Sequence, residues 1–277
     1  MNRTTRLGVA IGGLFWAGLA PAQSGWEWWQ DVGEGARERH DVYLKLGYTR
    51  IDPDTDSGEL KFTDPTKVGP ITVVPQGAFP GSEVEVRKTD LASLTLGYMI
   101  TRNLGIETIL GLPALQIDFD SRGSLQERSI DPLGLVGPLA GKIGESKAVP
   151  VVATLVFYPW PDTRIRPYLG AGYSYTYTYD ETITNRELWL DPRDPDTAPD
   201  FDVSDEWAWV AQLGAEVDIT DKWFASVDVK YLDLEIEADI SNVETAVPIL
   251  GSIGASDSTI EVGINPWVYT LAVGRTF

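Results

Sequence analysis

From Trp207 to Ile219 every second residue is apolar: Trp207, Trp209, Ala211, Leu213, Ala215, Val217 and Ile219. Between them lie Ala208, Val210, Gln212, Gly214, Glu216 and Asp218. A period of two puts these sets on opposite faces of a β-strand. The same alternation runs through Leu94–Ile100, Leu104–Leu112, Leu169–Tyr177 and Trp223–Tyr231. Eight such stretches are predicted, near residues 41–52, 83–100, 103–118, 147–158, 166–180, 205–219, 222–240 and 258–277.

Their connections alternate in length. Ile100 to Asn103, Pro159 to Ile165 and Thr220-Asp221 are short, whereas 53–82, 119–146, 181–204 and 241–257 are long and rich in Gly, Pro and Asp. Long structureless loops count against a compact soluble domain. They suit an all-β, eight-stranded antiparallel up-and-down transmembrane β-barrel, with long extracellular loops and short periplasmic turns.

The two faces differ in kind. One is uniformly apolar through the central stretches. The other is built from small residues and the charges Lys45, Glu107, Glu216, Asp228 and Lys230. A soluble barrel points its apolar face inward; here the small and charged face suits a narrow interior and the Leu/Val/Tyr face suits lipid. Trp207, Trp209, Trp223, Trp267 and Phe277 fall near strand ends, as membrane-anchoring girdle residues would. Trp267 and Phe277 share a face and lie roughly 33 Å apart along an extended strand, about 25 Å in height once the strand tilts. Arg275 interrupts that face where it is able to snorkel to the interface.

Composition narrows the class further. No run of apolar residues is long enough for a membrane-spanning helix. The chain has no cysteine and one histidine, which excludes disulfides, thiolate metal sites and any multi-histidine site within one chain. A formal charge of −19 argues against a nucleic-acid partner. Arg3 and Arg6, the apolar run Leu7–Ala20 and Ala20-Pro21-Ala22 read as a secretory signal peptide over residues 1–22. Residues 23–40 would then be an N-terminal periplasmic segment and 41–277 the barrel.

Several motifs carry a resemblance. Thr101-Arg102-Asn103-Leu104-Gly105-Ile106-Glu107 crosses the first short turn, and Arg166-Pro167-Tyr168-Leu169-Gly170-Ala171-Gly172 opens the fifth strand. Ile219-Thr220-Asp221-Lys222-Trp223-Phe224 leads into Val227-Asp228-Val229-Lys230-Tyr231, and the last stretch reads Ile264-Asn265-Pro266-Trp267 and ends in Phe277. In their order and spacing these resemble the OmpW family of outer-membrane proteins, which includes the AlkL alkane-uptake proteins. The departures are longer loops and Arg275 where an aromatic is common. The resemblance implies passive uptake of small hydrophobic molecules, with release sideways into the bilayer.

The residues themselves make that route plausible. An eight-stranded barrel is wide enough only for side chains or one small ligand. Buried charges there are expected to pair, so the five lumen charges predict a blocked floor. Above it, Leu232, Leu234 and Ile236 alternate with Asp233, Glu235 and Glu237. An unbroken strand places the apolar three in the lumen as a vestibule; a bulge at Tyr231 would swap the faces. Pro113 and Pro150 interrupt neighbouring stretches, and each removes a ladder donor. They either end their strands at a loop or open a lateral gate near Leu112 and Leu115.

Other candidates carry less. Asp191, Asp194, Asp196, Asp200, Asp202 and Asp205 lack the glycine and spacing of a calcium loop and read as solvated. Segment 180–206 holds ten acids against Arg186 and Arg193. His40, before the first strand, reads as a solvated or turret residue. No enzyme, cofactor or metal is expected. The expected partners are outer-membrane lipid and lipopolysaccharide, small hydrophobic solutes, and the barrel-assembly machinery through Phe277, with the protein a monomer. The competing function is an adhesin or a phage or colicin receptor acting through the acidic loops.

Overall fold

A computed structural model describes residues 38–277, except 39, 69, 113, 130–137, 190, 192, 243, 248–250 and 255–256. The proposed signal peptide and nearly all of the segment after it lie outside the described residues.

The alternating stretches form the strands β1 (Val42–Asp52), β2 (Thr89–Met99), β3 (Leu104–Leu112) and β4 (Lys142–Phe157). β5 (Ile165–Ile183), β6 (Glu206–Asp218), β7 (Trp223–Asp233) and β8 (Trp267–Thr276) follow. Each is antiparallel to its neighbour in sequence, and β8 pairs with β1, from Tyr43 opposite Thr276 to Asp52 opposite Trp267. The sheet is therefore a closed barrel of eight strands. Closure matters because an open edge in lipid leaves backbone groups unpaired.

The outward set is exposed and apolar, as at Leu46, Leu155, Leu169, Leu213, Val227 and Leu271. The inward set is small, charged or aromatic, and its aromatics lie over glycines. Tyr43 covers Gly97, Tyr168 covers Gly214 and Phe224 covers Gly274, leaving no room for a Cβ at any of the three. Tyr43, Met99, Val156, Tyr158, Tyr168 and Phe224 pack as one buried cluster towards the short-turn end.

The long connections depart from the sequence reading, because they are not simply loops. Lys61–Phe62, Gly77–Ala78 and Asp200–Val203 form a second antiparallel sheet with Glu235–Ser241 and Ser258–Gly263, the outer parts of the predicted stretches 222–240 and 258–277, which thus divide between the barrel and this sheet. Leu115–Gly123 extends the line of β3 and pairs with both the upper part of β4 and Ser82–Val86. Together they raise a dome on the barrel, filled by Leu60, Val84, Phe119, Leu125, Ile143 and Ile260 among others. The physical reason is continuity: an inward apolar face that outlasts the bilayer still has to be buried.

Candidate functional site: a charged floor under an apolar lumen

β1, β3 and β6 bring Lys45, Glu107 and Glu216 to one level of the lumen. Lys45 Nζ lies 2.5 Å from Glu107 Oε1 and 3.0 Å from Glu216 Oε1. Tyr43 donates to Glu107 at 2.7 Å and Gln212 donates to its other oxygen at 3.2 Å. Thr154 donates to Gln212 at 2.8 Å, and Tyr158 donates to Glu216 at 3.1 Å. The Lys45 ammonium also sits 4.9 Å from the centre of the Tyr168 ring, a favourable cation–π contact. Lys230 and Asp228 pair with each other, and Tyr168 donates to Asp228 at 3.3 Å.

All five charges singled out in the sequence thus face the lumen and are at most 4% exposed. Sequence reasoning missed the sixth and seventh. Arg166 on β5 makes two parallel hydrogen bonds to Asp218, at 2.6 and 2.5 Å, the bidentate geometry that Arg offers a carboxylate. Its inward register was readable from Gly170 and Gly172 on the same face, but its partner was not.

Above this floor lies a cavity of about 90 Å³. Lys230, Thr49 and Ser93 border it alongside Ile51, Leu91, Ile109 and Val152, and Leu115 and Pro150 line it too. Leu232 and Leu234 line it as well, while Ile236 is buried one inward position higher. The alternation across Tyr231 is unbroken, since Asp233, Glu235 and Glu237 are exposed, so the face swap at a bulge does not occur.

The wall beside the cavity is interrupted. β3 pairs with β4 as far as Leu110 opposite Val151, and pairing resumes only at Leu115 opposite Ala148. Val149 and Pro150 therefore face Tyr177 and Thr176 on β5 and, among the described residues, have no β3 partner. On its other flank β3 pairs with β2 up to Leu112 opposite Ala92, and the ladder resumes at Phe119 opposite Val86. β4 runs through Pro150 and does not end there. Pro113 and the side chain of Leu112 lie outside the described residues.

The ring residues occupy the outer face. Trp207, Trp209, Trp223, Trp267 and Phe277 are all exposed, from 42% at Trp267 to 68% at Trp207. Tyr231 bridges two of them, its ring 5.2 Å from Trp267 and 6.0 Å from Trp209. Arg275 is held over Trp223 and Phe277, at 5.6 and 5.1 Å. His40 is exposed beside the Tyr98 hydroxyl. Among the loop acids, Asp191 and Asp194 accept backbone N–H bonds from Arg193 and Asp196 in local turns. The backbone N–H of Thr178 holds the Asp205 carboxyl below the usual range.

An apolar band between aromatic rings, on a closed wall with a charged interior, defines a transmembrane β-barrel of the bacterial outer membrane. The OmpW family matches residues 38–277, and the chain belongs to that family. Outer membrane protein W of Vibrio cholerae serotype O1 is 30% identical over 247 residues, 87% of this chain and 91% of that protein. Outer membrane protein AlkL of Ectopseudomonas oleovorans is 22% identical over 202 residues, covering 73% of this chain and 72% of that one. The crystal structure of OprG from Pseudomonas aeruginosa superposes with a TM-score of 0.68 at 21% identity, over 88% of this chain and 99% of that one. The same barrel is thus built by sequences that share about a fifth of their residues.

Proposed function

We propose that the protein is a passive conduit for small hydrophobic molecules, which enter the apolar lumen from the extracellular side and leave sideways into the bilayer. The observation that carries this reading is the apolar cavity directly above a packed ion-pair floor. An apolar solute gains by leaving water for such a space, and the floor offers it no way down. Leu232, Leu234 and Ile236 form the vestibule in this reading, and the five lumen charges close the base.

The exit is the lapse between β3 and β4. Pro150 supplies no backbone donor there, Leu112 and Leu115 flank the lapse in chain order, and Pro113, between them in sequence, is proposed to belong to the same gate. The resemblance to alkane-uptake proteins in sequence supports the same direction of flow. The acidic outer surface leaves an adhesin or receptor role compatible with it; deletion of the loops separates the two, since a conduit retains solute uptake.

The test is uptake of alkanes and aromatic hydrocarbons into liposomes or cells with and without the protein. Replacing Pro113 or Pro150 with valine is expected to lower uptake several-fold, with the barrel still folded by its heat-modifiable migration. Unchanged uptake removes the gate. The proposal also takes residues 1–22 as the removed signal peptide and 23–40 as a periplasmic lead. Phe277 is proposed to engage the assembly machinery, and the ring residues lipid and lipopolysaccharide, around a monomer.

A further inference from the structure

β5 stays apolar on its outer face for longer than a membrane crossing requires. Its outward positions run from Ile165 through Leu169 and Ala171 to Tyr173, Tyr175, Tyr177 and Tyr179. That run covers residues 165–179, whereas a crossing strand needs about 9–11 residues. The surplus is about four residues, roughly 10 Å of height at the usual tilt. The neighbouring strands mark the level. β6 begins at Glu206, opposite Thr176, and on the other side Tyr179 stands opposite Lys147 of β4. Tyr177 and Tyr179 therefore rise to where both flanking strands have turned polar. Their rings stack, with centres 5.9 Å apart and planes 18° from parallel, and Tyr177 is 52% exposed.

Beside this pair lies a cleft of about 410 Å³, lined by Tyr177, Tyr179, Asp180, Glu181, Asp202 and Ser204 among others. β5 holds its far wall in place. The Thr178 N–H donates to Asp205 at 2.7 Å, the Tyr175 hydroxyl donates to it at 3.0 Å, and the Thr178 hydroxyl donates to the Val203 carbonyl at 2.6 Å. At the end of the cleft β5 bulges, so that Asp180 and Glu181 together oppose the single Ser146 of β4, and Asp180 takes a φ of +59°. A bulge re-aims the side chains at a strand end. Lys147 pairs with Asp180 at 2.5 Å; Asp202 is exposed and Glu181 half-buried.

A ring sugar presents an apolar C–H face and a rim of hydroxyls. The face suits an aromatic ring, whose negative quadrupole attracts C–H groups, and the hydroxyls donate to carboxylates. A cavity of about 150 Å³ holds benzene, so a hexose with twice the heavy atoms needs about 300 Å³, which the cleft provides. The aromatic face is continuous with the lipid-facing belt below it, so its occupant belongs to a membrane lipid. The carboxylates repel phosphate. We propose that the cleft seats an uncharged sugar ring of an outer-leaflet glycolipid, the lipopolysaccharide core, stacked on Tyr177 and Tyr179 and hydrogen-bonded by Asp202 and Glu181. This goes beyond the conduit reading and does not depend on it. Tyr177 is the β5 partner of Val149, so the seated lipid stands beside the lapse between β3 and β4.

The test uses full-length protein in phospholipid nanodiscs with fluorinated tyrosines, their signals assigned with Tyr177→Phe and Tyr179→Phe. Separate samples receive lipopolysaccharide bearing its core sugars, lipid A without the core, magnesium alone, or tetralysine. Saturable shifts at Tyr177 and Tyr179 are expected with the core-bearing lipid only. Tyr177→Ala is expected to weaken that binding about tenfold, read at Tyr179 with the folded band kept. Tyr177→Trp, which restores an aromatic face, is expected to recover it. Equal shifts with lipid A, shifts only with magnesium or tetralysine, no shift at all, or unchanged binding in Tyr177→Ala each overturn the sugar site. Solute uptake is read separately, so the conduit stands or falls on its own test.

Discussion

Lys45 and Glu107 meet across the lumen from strands that are not neighbours, with Nζ and Oε1 2.5 Å apart and both side chains 3% exposed. Neither charge has water to fall back on, and Lys45 is the cation that Glu107 and Glu216 share. Lys45→Met leaves Glu107 and Glu216 buried without their shared cation and is expected to cost about 3–5 kcal/mol. The readout is the denaturant midpoint at which the folded, fast-migrating band is lost. The triple variant Lys45→Met, Glu107→Gln, Glu216→Gln is expected to recover most of that loss.

Gly97 supports the same floor by having no side chain. A methyl group there overlaps the Tyr43 ring, and the ring holds the hydroxyl that donates to Glu107. Gly97→Ala is expected to destabilise the barrel by about 1–3 kcal/mol, the usual cost of overpacking. Denaturant titration measures it. Gly77, whose Cβ would meet nothing within 4 Å, is the wrong control because its φ is +121°; Gly58, outside the left-handed region and with a Cβ position in ordinary contact with Glu261, is a better one.

Leu234 lines the lumen cavity and is 6% exposed. Leu234→Asn puts an amide without a built-in partner in the path of an apolar solute. Uptake of a short alkane is expected to fall about tenfold, equivalent to about 1.4 kcal/mol, while the folded band persists. Leu234→Met, which keeps the surface apolar, is expected to retain uptake.

Asp118 stands outside the membrane, between Lys142 and Arg87. Partial burial pushes its carboxyl up, but hydrogen bonds from Lys142 and Gln116 and the charges of Lys142 and Arg87 outweigh it, and the group is held below the usual range. A depressed carboxyl adds stability at pH values above its unfolded pKa of about 3.9. That contribution is lost as pH falls through the lowered folded value. Acidification from pH 5 to below 4 is therefore expected to loosen the ladder between Leu115–Gly123 and Lys142–Ala148. Backbone NMR signals of that ladder follow the change, and Asp118→Asn is expected to remove this part of the pH dependence.

The barrel was legible in the sequence because lipid and lumen impose opposite demands on alternate residues, and eight stretches carry that alternation openly. The inward placement of Leu232, Leu234 and Ile236 followed from the same period, extended past Tyr231. The dome was not legible. Lys61–Phe62 and Gly77–Ala78 are too short to show a period; they pair with each other, and Lys61–Phe62 is placed by pairing with Ser258 and Thr259, nearly two hundred residues on. The floor was half legible. A buried charge announces itself on a small-residue face, but that Arg166 meets Asp218 and Tyr43 covers Gly97 depends on the register between neighbouring strands, β5 with β6 and β1 with β2.

Closure of the wall joins the two ends of the described barrel. Seven seams of the barrel join strands adjacent in the chain, and the eighth joins β1 to β8. Without β8 the edges of β1 and β7 are raw, Lys45 faces no enclosed lumen, and the lumen cavity is open on one side. The last strand in the chain is therefore the one that encloses the interior, so a barrel lacking it is no narrower barrel but an open sheet.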